Sequence, residues 1–163
     1  MRYAIGLIGA VLVVGATALP LAQTAPSLQG AWRVTEVVVT GANAATNTSP
    51  QPGLYVFTAQ HYSIITVNTA RKNFGNAADP AKLTDAEKAA RYEAWDAFTA
   101  NSGTYQISGS TLTIRPMVAK NPGVMGTSST REFAIDGKTL TLVQKSAAGQ
   151  PASQMTVKLT RLE

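Results

Sequence analysis

Cysteine is absent from this chain of 163 residues, and histidine occurs once, as His61. Metal sites of the zinc type need several thiolate or imidazole ligands, so this composition argues against one. A histidine-dependent nucleophile would have to use His61, which lies in a predicted turn with no partner at a motif spacing. Neither a Gly-x-Ser-x-Gly segment nor a phosphate-binding loop is present. We therefore expect no metal and no other cofactor, and we assign no catalytic residue.

Charge is also scarce, since charged residues make up 14% of the chain and the formal net charge is +5. The basic residues are scattered along the sequence, and Arg71-Lys72 is their one adjacent pair. Nucleic-acid binding needs a clustered basic face, so we expect no nucleic-acid partner. Because no disulfide can form, a single domain must be held together by its apolar core.

The N-terminal segment has the order of a secretory signal peptide. Arg2 precedes an apolar run over residues 4–14, and the small residues of Ala16-Thr17-Ala18 follow it. We predict a signal peptide over 1–25, cleaved between 18 and 25, and a mature domain over 26–163. An uncleaved anchor is the alternative, although the run is short for a bilayer span. The protein is therefore expected to be exported, periplasmic or secreted, with no stable membrane insertion after cleavage.

Alternating apolar residues predict a mainly β domain of eight antiparallel strands and one α-helix. A Thr84-x-x-Glu87 capping box begins the helix, expected over about 85–100 between the third and fourth strands. Residues 41–53 lack periodicity and suggest a flap over an opening. Asp136-Gly137 indicates a hairpin turn. The strands are predicted at 31–40, 54–58, 62–68, 104–108, 111–118, 128–135, 139–145 and 153–161.

Two residues at opposite ends of the strand set predict that the sheet closes into a barrel. Trp32 opens the first strand and Arg161 ends the last one. In a closed antiparallel barrel with an even number of strands, these positions are neighbours. A guanidinium over an indole face is a favourable cation–π pair, so we assign Trp32 and Arg161 to barrel closure.

Several short motifs, taken in order, resemble the bacterial lipocalin-like domain proteins. The motifs include Leu28-x-Gly30-x-Trp32, Ser102-Gly103-Thr104-Tyr105, Asp136-Gly137 before Leu140-Thr141-Leu142, and Leu159-x-Arg161. The resemblance implies an eight-stranded antiparallel lipocalin-like β-barrel of the calycin type with a central cavity. One strand that often carries histidines in that family has Arg115-Pro116 here. A metal or acid–base role for those histidines therefore cannot be transferred to this chain.

Period 2 places two charged residues, Glu36 and Arg131, on inward faces, where a charge is costly unless it is paired or hydrated. Either they form a structural ion pair, or a bulge shifts the face, or Arg131 binds an acidic ligand group while Glu36 orients it. Weaker candidates for ligand binding are Arg71 and Arg115. Tyr55, Tyr105 and Trp95 are expected to line a cavity or to pack in the core.

These observations favour a protein that binds a small apolar or amphipathic molecule inside the barrel. Two alternatives stay open. The first is a small barrel enzyme of the isomerase or cyclase type, and the second is a non-catalytic structural or envelope protein whose barrel is filled by its own side chains.

Overall fold

A computed structural model describes residues 27–75 and 79–163 of the chain. The predicted signal peptide over 1–25 lies outside the described residues and stays a prediction. Among the residues that are described, no helix is long and apolar enough to cross a membrane.

Eight antiparallel strands close into a barrel, as the sequence predicts. The barrel strands are β1 (Gly30–Thr40), β3 (Gly53–Phe57), β4 (His61–Val67), β5 (Phe98–Ser108), β6 (Thr111–Ala119), β7 (Ser129–Asp136), β8 (Thr139–Lys145) and β9 (Gln154–Arg161). Strand β1 pairs with β3 on one edge and with β9 on the other, and every strand between them pairs with its neighbours.

One further strand, β2 (Ala45–Asn47), lies in the segment that was expected to be an irregular flap. Strand β2 pairs with Val37, Val38 and Val39 of β1. On the same edge of β1, β3 pairs only with residues 30–33. The three residues of β2 are all exposed, so no apolar alternation marks it in the sequence. As a consequence, the helix lies between β4 and β5, and the predicted position between the third and fourth strands is corrected.

The helix α1 spans Asp85–Asp96 and begins with the predicted capping box. The Thr84 backbone N–H donates to Glu87 at 2.8 Å, and the Glu87 backbone N–H donates to the Thr84 hydroxyl at 3.3 Å. The expected end near residue 100 is wrong, because β5 already begins at Phe98, which pairs with Val67. Two short 3-10 helices, Pro80–Lys82 and Pro122–Val124, complete the elements found in the described ranges.

A β-bulge in β1 changes which side chains face the barrel interior. Val34 pairs with Leu159, but the next partner of β9, Lys158, faces Glu36, so that Thr35 is the extra residue. Beyond the bulge, Val37 and its successors at period 2 face inward, and Glu36 faces outward. The predicted inward position of Glu36 is therefore wrong.

The apolar core occupies the end of the barrel where β1 begins and β9 ends. Trp32 is fully buried there, and its indole N–H donates to the Leu28 carbonyl at 2.8 Å. The Arg161 guanidinium lies 4.0 Å from the centre of the Trp32 ring. The core side chains are Leu28, Trp32, Val34, Tyr55, Phe57, Tyr62, Ile64, Leu112, Ile114, Leu140, Leu142, Val157 and Leu159. This packing fills one end of the barrel and leaves space at the other.

Candidate functional site

A cavity of about 430 Å³ lies beyond the core, toward the end of the barrel where β1 ends and β9 begins. Residues of β1, β3, β4, β5, β7 and β9 form its wall, together with β2 and the segment that follows it. The bulge in β1 matters here because it turns valines toward this space. The apolar lining consists of Val34, Val37, Val39, Ala45, Pro50, Tyr55, Ile64, Val67, Met155 and Val157.

Arg131 brings a positive charge into this apolar lining. It is half-buried on β7, opposite Leu112 of β6, and its Nε donates to Oε1 of Gln144 at 3.2 Å. Its Nη1 is buried and finds no hydrogen-bond partner among the described residues. A buried cation without an anion or a full set of acceptors is destabilising, so a negatively charged or accepting group beside Arg131 would stabilise it.

Two tyrosines lie close enough to Arg131 to sense its charge. Burial raises the pKa of the Tyr55 hydroxyl, and the guanidinium of Arg131 opposes that rise. The same two effects act in the same order on the pKa of Tyr62. The Tyr62 hydroxyl is buried and, within the part of the chain that the structure describes, has no partner. Arg131 and Tyr55 line the cavity and Tyr62 belongs to the neighbouring core, and the name donor cluster is used below for these three side chains.

Asn101 of β5 is a further polar residue of the cavity wall. The strand registers place it opposite Ile64, which in turn lies opposite Tyr55, so the three residues form one row across β5, β4 and β3. Its Oδ1 is buried, with no hydrogen-bonding partner in residues 27–75 or 79–163.

Sequence reasoning predicted Arg131 and Tyr55 as ligand-binding residues but did not include Tyr62 or Asn101. Tyr62 begins a period-2 pattern with Ile64 and Thr66, a signal that could have placed it inside the barrel. Asn101 gave no such signal, because it lies between the helix predicted over about 85–100 and the strand predicted at 104–108.

Three predicted charged residues lie outside the cavity. Glu36 pairs on the outer face with Lys158, with 3.0 Å between carboxylate oxygen and ammonium nitrogen. Arg115 is exposed and lies opposite Thr104. Arg71 donates from Nε to the Ala94 carbonyl at 2.7 Å and lies 5.0 Å from the Phe98 ring, so it connects the segment after β4 to α1.

Two predicted aromatic residues also take no part in the cavity wall. Tyr105 packs edge-on against Phe57, with 5.4 Å between ring centres, and its hydroxyl donates to the Thr58 carbonyl at 2.7 Å. Trp95 is 54% exposed and packs edge-on against Phe98 at 4.8 Å. Both are packing residues, Tyr105 beside the core and Trp95 at the outer side of α1.

No group of three or more His, Cys, Asp or Glu side chains that could hold a metal ion occurs in the described ranges. The cavity therefore offers apolar surface, the donor cluster and a set of neutral polar side chains, which are Asn47, Gln51, Thr66, Asn68, Thr99 and Asn101.

A closed antiparallel barrel with a packed end and a cavity at the other end defines a lipocalin-like barrel, a class of ligand-binding fold. The comparison with family models agrees with this class. Residues 29–161 match the family model of the lipocalin-like domain, and the chain belongs to this family.

A similar solved structure is that of a lipocalin-like protein from Bacteroides uniformis ATCC 8492. It is 14% identical, with 83% of this chain and 98% of that chain covered and a TM-score of 0.46. A search of curated proteins gave no match.

Proposed function

We propose that this protein is an exported binding protein that takes a small, largely apolar molecule into the barrel and holds its acidic head group at Arg131. The observation that carries the proposal is the cavity of about 430 Å³ with a guanidinium in its wall. Cavities of roughly 300–1,000 Å³ are typical of small-molecule sites.

The apolar part of the ligand is inferred from the lining of the cavity. Valines of β1 and β9, Ile64 and Met155 offer aliphatic surface and no strong hydrogen-bonding group. Burial of an alkyl or ring system against them gains about 25 cal/mol per Å² of apolar surface removed from water. We expect this contact to supply affinity with little selectivity among apolar shapes.

The acidic head group is inferred from the donor cluster. Buried Nη1 of Arg131 and the buried hydroxyl of Tyr62 both lack an acceptor among the side chains and backbone that the structure describes. A carboxylate in the cavity accepts from Arg131 and neutralises the guanidinium, whereas Tyr62 belongs to the core and not to the lining. Arginine suits this role, because its fork of N–H donors matches a carboxylate.

Entry of the ligand would involve the flap, meaning residues 41–52 with β2 in their middle. Ala45, Asn47, Pro50 and Gln51 of the flap line the cavity. The flap is joined to β1 by three pairs of residues, and the side chains of β2 are exposed. A short edge strand of this kind opens at low cost compared with the rest of the barrel.

Export is supported by the signal-peptide pattern of residues 1–25. The structural alternative, a barrel filled by its own side chains, is less well supported, because the core occupies one end of the barrel and a cavity occupies the other. No particular observation favours the enzyme alternative.

The proposal is tested by thermal shift with decanoic acid and decanol, which share an alkyl chain and differ in the acidic group. We expect decanoic acid to raise the Tm of the wild type more than decanol does, since a ligand that binds the folded state stabilises it. Arg131→Met should abolish that difference. Arg115→Met, an exposed arginine on the neighbouring strand, is the matched control and should preserve it.

Native mass spectrometry of the protein purified from its own envelope adds an independent readout, because a co-purifying molecule would reveal the ligand class. Failure of both compounds to shift the Tm, together with ligand-free protein in the spectrometer, would contradict the proposal.

A further inference from the structure

The amide of Asn101 is a polar group of the cavity wall whose oxygen lacks a hydrogen-bond donor among the described residues. An acidic group accepts from Arg131, which donates, but it offers nothing to an orphaned acceptor. The Oδ1 atom of Asn101 is such an acceptor, buried and unbonded within the described chain, on a residue of the cavity wall. Native proteins rarely leave a buried polar atom unsatisfied, and an unmodified apolar acid would leave this one so.

The position of Asn101 relates the amide to the head group. Because Asn101, Ile64 and Tyr55 lie in one row on adjacent strands, the Cα atoms of Asn101 and Tyr55 are about 10 Å apart. Tyr55, Asn101 and Arg131 all line the same cavity. One bound molecule can therefore contact both the amide and the guanidinium.

We infer that the preferred ligand is an apolar acid that carries a hydroxyl group close to its carboxylate, with the hydroxyl bound by Asn101. This inference rests on the proposed function and narrows its ligand class. A hydroxyl suits this residue because it donates to Oδ1 and also accepts from the amide NH₂. The second torsion of an asparagine side chain is soft, so the amide can turn Oδ1 from the wall toward the ligand.

Two related head groups, an ether acid and a plain acid, should bind less tightly than the hydroxy acid. An ether oxygen in place of the hydroxyl accepts but cannot donate, and it would leave Oδ1 unsatisfied. A plain acid gains nothing from Asn101. The order of affinity expected from the wall is therefore hydroxy acid above plain acid, with the ether no better than the plain acid.

The experiment is isothermal titration of the wild type with decanoic acid, 2-hydroxydecanoic acid, 3-hydroxydecanoic acid and 3-methoxydecanoic acid. We expect at least one hydroxy acid to bind roughly fivefold to tenfold more tightly than decanoic acid, the gain that one buried hydrogen bond supplies. The methoxy compound should show no such gain. Testing both hydroxy isomers covers the two nearest spacings of hydroxyl and carboxylate.

Two variants assign the effect to Asn101. Asn101→Leu has a similar volume and no hydrogen-bonding group, and it should remove the preference for the hydroxy acid while it still binds decanoic acid. Ser102→Ala is the matched control and should keep the preference. Ser102 is the next residue of β5, and its hydroxyl donates to the Ser63 hydroxyl of β4. Far-UV circular dichroism and the Tm of each ligand-free variant check that it is folded.

The outcomes separate this inference from the proposed function. Equal affinity for all four acids, or a hydroxyl preference that persists in Asn101→Leu, would overturn the inference and leave the acid-binding barrel intact. Equal gains from the hydroxyl and methoxy groups would also overturn it, because donation would then be irrelevant. If none of the four acids binds, both this inference and the proposed function are wrong.

Discussion

Removal of the Arg161 guanidinium should destabilise the barrel more than removal of any exposed arginine. The change is Arg161→Met, which keeps an apolar stem over the Trp32 ring and deletes only the charged fork. In the structure that fork lies 4.0 Å from the ring centre and donates to the carbonyls of Gln29 and Ser27. It therefore connects the end of β9 to the segment that leads into β1.

The magnitude follows from these contacts. A cation–π pair of this kind contributes about 0.5–2 kcal/mol. Hydrogen bonds to a charged group contribute about 1.5–3 kcal/mol each, a value that falls here because Gln29 and Ser27 are exposed and water can replace the donor. We expect a loss of about 3 kcal/mol in the free energy of unfolding, or roughly 10 °C in Tm for a domain of this size.

Urea unfolding followed by tryptophan fluorescence measures the loss, with the m-value as a check that the unfolded state is unchanged. Arg33→Met is the matched control, because Arg33 is exposed on β1 opposite Thr160, beside the same pair of strands. If Arg161→Met costs no more than Arg33→Met, the reasoning about how the barrel ends are held together is wrong.

Three further predictions test other parts of the fold. Glu36→Gln should cost under about 1 kcal/mol in urea unfolding and leave decanoic acid affinity unchanged, because Glu36 forms a surface pair with Lys158; an altered affinity would return Glu36 to the cavity. Gly103→Ala should cost about 3 kcal/mol or more, since a β-carbon there would meet the Met117 backbone nitrogen at 2.9 Å and the Arg115 carbonyl closer still. The cost should exceed that of Gly109→Ala, where nothing lies within 4 Å and only the positive φ of 57° opposes alanine; equal costs would contradict this. Thr84→Ala should speed hydrogen exchange in α1 and leave exchange in the barrel unchanged, because no α1 residue is buried. The hydrogen bonds from the Thr84 backbone and side chain lower the pKa of Glu87. Protection of the helix from exchange should therefore be complete above the ordinary Glu pKa of 4.5 and decline as the pH falls through the lowered pKa of Glu87. Unchanged protection at low pH would count against the capping box.

The closed barrel could be predicted because strand periodicity and two end residues contain the necessary information. Trp32 and Arg161 pair directly, and Trp32 and Leu159 are inward residues, as their places in the period-2 patterns require. Turn residues such as Asp136-Gly137 also act locally, so the hairpin between β7 and β8 is readable from the sequence.

A bulge was one of the alternatives for Glu36, but its position at Thr35 could not be predicted, because nothing in a run of β-branched residues indicates where an extra residue enters. One extra residue turns Glu36 out of the barrel and valines into it. The cavity therefore contains the positive charge of Arg131 without the negative charge of Glu36. The same limit applies to β2, whose pairing depends on an edge that β3 leaves free.

Asn101 was missed for a related reason. The helical pattern predicted for 85–100 has no local stop at Asp96, and β5 begins where tertiary pairing with β4 outweighs helix propensity. Arg131 was predicted correctly as an inward residue, since β7 has no irregularity between Arg131 and Ile135.

The ionisation of a bound carboxylate tests the central claim most directly. Decanoic acid labelled with ¹³C at the carboxyl carbon would be titrated with pH by NMR in complex with the wild type, Arg131→Met and Arg115→Met. We expect the pKa of the bound carboxyl group to be lower in the wild type and in Arg115→Met than in Arg131→Met, by one unit or more, because only the first two keep the cavity guanidinium. The same bound pKa in all three proteins would mean that the head group does not meet Arg131.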